Sequence, residues 1–239
     1  MKHVVLLSGG LDSTTLATDL VETGHEVIGV SFRYGSLHES SESNAASLVA
    51  RALCIPLQVI RIDDSIYANG VSALLGQSPM PNAEYQTDPE EGPSATVVPF
   101  RNAIMLSMAV ALAESRKRDF VSIATHATDS AHWAYPDCSP EFIGSMMAAA
   151  YIGTMHKVRL YAPFVFRTKA EIVALAAERY APLQLTWSCY RGGATHCGRC
   201  PTCLERIHAF QENNLMDPVK YDVDIDWSNC REFPARSRV

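Results

Sequence analysis

The stretch HVVLLSGGLDSTTLATDLVET, residues 3 to 23, constrains the fold more than any other. Its valine- and leucine-rich start reads as a buried strand and the two glycines as a turn. The apolar spacing that follows reads as a helix, ended by Gly24 at the left-handed position past its last turn. The order recurs: EVIGVSF (26 to 32), LQVIRI (57 to 62) and FVSIAT (120 to 125) are strand-like, while SESNAASLVARAL and NAIMLSMAVALAES are helix-like. Such alternation predicts an α/β fold, a parallel twisted sheet with helices on both faces. NAIMLSMAVALAES is apolar nearly all round, which predicts a buried helix. RTKAEIVALAAERY adds another helix, opened by the capping box Thr168-x-x-Glu171. The chain divides into an expected α/β domain, residues 1–165, and a small helical, metal-binding appendage, residues 166–239. Gly76 to Ser94 carries prolines at 79, 81, 89 and 93 and no periodicity, as lids, binding loops and disordered segments do. The basic RSRV at the end is expected to fray.

Ligands of parallel sheets bind beyond the carboxyl ends of the strands, where SGGLDS stands. Gly9 and Gly10 permit successive N–H groups to converge, the helix starting near Asp12 adds its positive end, and Ser8 and Ser13 offer hydroxyls. The place suits phosphate. The lysine of a GxxxxGK[ST] loop is absent, and Asp12 would repel a bare phosphate. Asp12 therefore either holds Mg²⁺ against a nucleotide or caps the helix.

Four of the seven cysteines fall in CYRGGATHCGRCPTC. Cys189, Cys197, Cys200 and Cys203 can give four thiolates to tetrahedral zinc, with Gly192, Gly193 and Gly198 allowing the turns; an iron–sulfur cluster is the rival occupant. A closed four-cysteine site has no place for water and is structural. His196 reads as a solvated loop residue, and Cys54, Cys138 and Cys230 as packing or spectator thiols.

Arg101 and Asn102, at the mouth of the apolar helix, form either a second anion site or an arginine paired with an acid beside an Asn cap. Lys169 sits in the first turn of its helix against the dipole, which points to a nearby anion or to a solvated side chain. After the fourth strand, HATDSAHWAYPDC places His126, Asp129, His132, Trp133, Tyr135 and Asp137 where a flat heterocycle would be stacked and hydrogen-bonded. The formal charge of −6 and the lack of basic runs disfavour nucleic acid held by phosphate neutralisation, so small molecules are the expected partners. No run approaches the roughly 20 apolar residues of a membrane helix, and the expected location is cytoplasmic.

With SGGLDST, Tyr34-Gly35, His38, VPFRN, YPDC, TKAE, TWSCY, CGRCPTC and DPVKY in one order, the chain resembles the 7-cyano-7-deazaguanine synthase (QueC) family over nearly its full length. That family lies within the ATP pyrophosphatase (PP-loop) superfamily. The resemblance implies an adenine nucleotide alpha hydrolase-like, Rossmann-like fold and a homodimer. It further implies an ATP-dependent ligase with Mg²⁺ and structural Zn²⁺ that converts 7-carboxy-7-deazaguanine and ammonia to the nitrile through adenylate and amide. Carried over by position, Ser8, Gly9, Gly10, Leu11, Asp12, Ser13, Thr14 and Phe32 would hold the nucleotide. Asp12, Ser13, Lys169 and Arg101 would serve the chemistry, Asn102, Tyr135 and Asp137 would meet the substrate, and Cys189, Cys197, Cys200 and Cys203 would bind zinc. Three places depart from the family pattern: Ser36 after Tyr34-Gly35, Phe100 before Arg101-Asn102, and the stretch from Asp129 to Ala134. Phe100 is expected to narrow the pocket. Two alternatives use the same adenylation, one stopping at the amide or passing to another amine, the other thiolating tRNA; a non-enzymatic zinc module would leave SGGLDS unexplained.

Overall fold

The structure is a computed structural model that describes residues 1–82 and 93–235, apart from the side chain of His132. Part of the Gly76 to Ser94 stretch, the RSRV end and the His132 side chain thus lie outside the described residues. Five parallel strands form one sheet in the order β3-β2-β1-β4-β5: β1 (Lys2–Leu6), β2 (Glu26–Arg33), β3 (Leu57–Arg61), β4 (Phe120–Ser122) and β5 (Arg159–Tyr161). The four expected strands are present, the fourth shorter than FVSIAT suggested; β5 is an addition.

Successive β1 residues face opposite ways, and two cores result. Val4 joins Val30, Val121 and Leu160 under α3 (Arg101–Ser115) and α5 (Pro140–Gly153), while the short α4 (Ala127–Ser130) follows β4. Val5 and Leu7 face α1 (Leu11–Glu22), α2 (Glu39–Ala52), α6 (Lys169–Glu178) and α7 (Pro201–Glu212), with Leu16, Val49, Ile172 and Phe210 in the same cluster. Helices therefore cover both faces. Gly24 takes φ +81° just past α1, and the Thr168–Glu171 capping box closes with bonds of 3.2 and 2.7 Å.

The fully buried helix expected from NAIMLSMAVALAES is not found. Only one side of α3 is buried, through Asn102, Ala103, Met105, Leu106, Ala109 and Ala113. Ile104, Met108 and Leu112 are half-buried, because α3 lies outside the sheet rather than between layers. The order of strands reverses beside β1, so the loops after β1 and β4 splay apart and leave a crevice between them.

Candidate active site

That crevice is a cavity of about 220 Å³, lined by Ser8, Gly10, Leu11, Asp12 and Ser13 after β1, by Phe32 near the end of β2 and Tyr34, His38 and Glu42 after it, and by Thr125 and Asp129 after β4. Arg101, Asn102, Cys138, Lys169, Trp187, Ser188, Tyr190 and Glu205 complete the lining.

The loop after β1 owes its shape to Gly9, at φ +85°. A Cβ there would stand 2.4 Å from the backbone nitrogen of Ala46, so only glycine lets α2 press this closely. Gly10 is extended, at φ −76°, and no side chain caps α1 from that position. Ser8 Oγ accepts from the Gly10 N–H at 3.2 Å and lies 3.0 Å from Ser13 Oγ. The helix thus presents an uncapped N-terminus and two hydroxyls to the cavity, the makings of a phosphate cradle. Trp187 N–H donates to the Gly9 carbonyl at 2.9 Å and ties the cysteine-bearing segment to this loop. Thr14 is fully buried behind it.

Asp12 and Lys169 meet at 2.7 Å although 157 positions separate them. Lys169 is buried, and its ammonium also lies 3.1 Å from His126 Nε2 and 3.5 Å from Glu205 Oε2. Burial by itself would raise the Asp12 carboxyl, but the Lys169 ammonium and His126 hold it below the usual range. Burial opposes the charge on Lys169, yet Asp12, Glu205 and Asp129 outweigh it and push its pKa up. Asp12 Oδ1 is buried and finds nothing beyond its own backbone amide among the described residues. The solvated lysine weighed from sequence is excluded; the anion near Lys169 is Asp12.

Arg101 is half-buried beside Tyr34, to whose hydroxyl it donates at 2.9 Å and over whose ring its guanidinium sits at 5.4 Å. No carboxylate pairs with it among the described residues, which leaves a cation facing the cavity. Of the second anion site expected at Arg101-Asn102, the helix end is taken by the protein itself, Asp137 Oδ2 accepting from the Asn102 N–H at 2.9 Å and capping α3, while the Arg101 guanidinium stays open to an anion. Asn102 Nδ2 donates to the Asp137 carbonyl at 3.1 Å and to Cys138 Sγ at 3.3 Å. Asn102 and Cys138 line the cavity, whereas Asp137 and Tyr135 stand behind its wall, Tyr135 bonded through its hydroxyl to Thr96. Burial pushes Tyr135 up to about 12 and raises the Cys138 thiol well above its ordinary value, so neither ionises near neutrality.

Phe100 does not narrow the cavity. It is 65% exposed, packs edge-on against Phe142 at 6.0 Å, and takes φ +55°. That left-handed backbone favours glycine and accounts for a small residue being expected there.

The four cysteines converge as their spacing predicts, with all four Sγ atoms within 4.8 Å of one another. Tetrahedral thiolates about 2.3 Å from one ion lie about 3.8 Å apart, so the knot fits a single ion after small adjustment; a four-iron cluster would hold its sulfurs farther apart. Backbone N–H groups of Cys197, Arg199 and Cys200 point at the sulfurs at 3.3 to 3.4 Å, as they do around metal-bound thiolates. His196 is not solvated. It is buried, accepts from Ser188 N–H at 3.0 Å and lies 4.5 Å from the Trp187 ring, bracing the cavity wall from behind.

Sequence reasoning missed Glu205, Glu42 and Tyr190 as cavity residues. Glu205 is hidden in CPTCLER, where the cysteines draw all the notice; its position two residues past Cys203, on a helix fixed by the metal knot, is the signal that could have found it.

A switch-point cavity with an uncapped helix end, paired hydroxyls and an Asp–Lys pair marks a nucleotide-dependent α/β enzyme of the PP-loop class. The chain belongs to the QueC family: residues 2–214 match the family described as queuosine biosynthesis protein QueC. A 7-cyano-7-deazaguanine synthase of Allorhizobium ampelinum is 43% identical over 99% of this chain and 99% of its own. One from Rhizobium meliloti is 44% identical over 95% of this chain and 94% of its own. The structure of NMN synthetase from Francisella tularensis superposes with a TM-score of 0.47 at 16% identity, covering 82% of this chain and 70% of that one.

Proposed function

We propose that the protein is an ATP-dependent, carbon–nitrogen bond-forming enzyme that converts 7-carboxy-7-deazaguanine and ammonia to 7-cyano-7-deazaguanine. One observation carries the reading: in a chain this similar to 7-cyano-7-deazaguanine synthases, one cavity joins the uncapped N-terminus of α1 to two cations, the buried Lys169 and the half-buried Arg101.

The substrate carboxylate attacks the α-phosphorus of ATP and pyrophosphate leaves. The segment from Ser8 to Thr14, the α1 dipole and Lys169 hold the phosphates, and Phe32 packs beside the nucleotide. Arg101, lacking a carboxylate partner among the described residues, receives the substrate's carboxylate and the charge that develops on it. Ammonia then displaces AMP to give the amide. A second adenylation, now on the amide oxygen, lets AMP depart with that oxygen while the nitrogen loses two protons, leaving the nitrile. Asn102 meets the heterocycle, and Tyr135 and Asp137 serve it by fixing the segment that carries Cys138. Asp12 Oδ1, with only its own amide for company, fits Mg²⁺, which would neutralise the departing pyrophosphate. Zn²⁺ in the cysteine knot serves structure, holding α7 and the Trp187 segment against the loop after β1.

A homodimer and a cytoplasmic location complete the reading. The dimer is supported by α5, in which only Ile143 and Ala150 are buried although Glu141 is the sole charged residue of PEFIGSMMAAAYIG. Ile152 and, just beyond, Met155 are 70% and 79% exposed. No helix among the described residues is long and apolar enough to cross a membrane.

The purified protein, given Mg·ATP, 7-carboxy-7-deazaguanine and ammonium, is expected to yield the nitrile with AMP and pyrophosphate by mass spectrometry. Accumulated amide would move the reading to the amide-forming alternative, and absence of AMP would overturn it.

A further inference from the structure

The part of the cavity wall around Lys169 carries more negative charge than its surroundings balance. Asp12, Asp129 and Glu205 come from α1, α4 and α7, and the single cation among them is Lys169. Lys169 is committed to Asp12 at 2.7 Å and reaches Glu205 only at 3.5 Å. Setting that tight pair aside leaves the carboxylates of Asp129 and Glu205 beside the His126 imidazole, with Lys169 only at their margin.

The donor atoms are gathered for one occupant. His126 Nε2, a carboxylate oxygen of Asp129 and one of Glu205 all lie within 4.8 Å of one another, with His126 Nε2 to Asp129 Oδ2 at 3.3 Å. Glu205 supplies a second, independent sign: its side chain is 10% exposed, it lines the cavity, and its Oε1 is buried with no hydrogen-bond partner among the described residues. Leaving a buried carboxylate oxygen unsatisfied is costly unless something comes to it. The excess charge also shows on Asp129, whose carboxyl burial pushes up to about 6, His126 and Lys169 opposing and Glu205 and Asp12 adding to the rise.

We infer that His126, Asp129 and Glu205 form a protein-built site for one divalent cation, separate from the Mg²⁺ carried by the nucleotide and from the cysteine knot. Two carboxylates and a neutral imidazole close the charge with one dication. The nitrogen donor suits Mn²⁺ or Zn²⁺ better than Mg²⁺, which prefers oxygen alone. The ion takes the His126 nitrogen that otherwise faces Lys169 at 3.1 Å, and Lys169 stays on Asp12. Three ligands leave coordination positions for water or a ligand on the cavity side, against the nucleotide loop. Because α7 starts in the cysteine knot, filling the knot fixes Glu205 for this second ion. The site stands on these residues alone and does not depend on the substrate proposed above.

The test uses protein brought to one zinc per chain, enough for the cysteine knot alone, without nucleotide and with Mn²⁺ as the only added probe. Electron paramagnetic resonance of unbound Mn²⁺ should show one ion taken up per chain, and the bound ion should show coupling to a histidine nitrogen. Asp129→Asn and Glu205→Gln should each weaken uptake at least about tenfold. His126→Gln should remove the nitrogen coupling, with zinc content unchanged in all three. No uptake without nucleotide, bound Mn²⁺ lacking nitrogen coupling in the unaltered protein, or equal uptake by the carboxamide variants would each overturn the site. The first two outcomes need no variant to fold.

Discussion

Asp12 and Gly9 stand three positions apart and are fixed for different reasons. Gly9 is required by sterics: at φ +85° a Cβ would meet the Ala46 nitrogen at 2.4 Å, and backbone cannot step aside as a side chain can. Gly9→Ala should cost at least about 2 kcal/mol, read as a lower urea midpoint at unchanged slope. Asp12 is required by charge. Asp12→Ala should leave the fold and the cysteine metal in place while substrate-dependent ATP–pyrophosphate exchange falls at least about 100-fold; full exchange would show that the acid serves only the helix. The pair with Lys169 also has a pH signature. The Asp12 carboxyl is depressed, so its contribution to stability is present above its ordinary value of 3.8 and lost as pH falls further. Lys169 is raised, so its share is whole below 10.5 and lost only above that. Between those limits both members of the pair stay charged, and the pH dependence there comes from Asp129, raised to about 6.

At the scale of elements, the first half of the chain was legible because each strand and helix carries its own periodicity and most turns a glycine, the turn after α2 using Cys54 instead. β5 was not, since three residues, Arg159, Leu160 and Tyr161, are too few to show a period. Nor was α5, whose apolar residues surround the helix and conceal which side packs. The Asp12–Lys169 contact was invisible for another reason: nothing local records a pairing across 157 positions, although the awkward placement of Lys169 at a helix start hinted at it. The cysteine spacing was fully legible, but the burial of His196 was not, because its partners, Ser188 and Trp187, are brought in by the knot itself. The knot in turn anchors α7 through Arg206, wholly buried and bonded to Asp217 at 2.6 and 2.9 Å and to Thr186 and Ser188. Cys200→Ser should therefore lower metal content and the thermal midpoint together, the latter by on the order of 10 °C. Loss of metal without loss of stability would mean that the Arg206 network holds the segment alone.

For the molecule as a whole, the sheet order decides where chemistry occurs, and the covering helices decide what else the protein must bind. One face is sealed by α1, α2, α6 and α7; the other is left with apolar side chains of α5 and Phe100 in the open. If that face joins two chains, Ile152→Glu with Met155→Glu should convert a dimer to a monomer in sedimentation without unfolding it. The central claim, however, concerns the cavity: the substrate's own carboxylate attacks ATP at the α-phosphorus. It is tested most directly by supplying 7-carboxy-7-deazaguanine labelled with ¹⁸O in the carboxylate and weighing the nucleotide products. The account predicts one ¹⁸O in each AMP formed and none in pyrophosphate. Unlabelled AMP, or label in inorganic phosphate beside ADP, would contradict it.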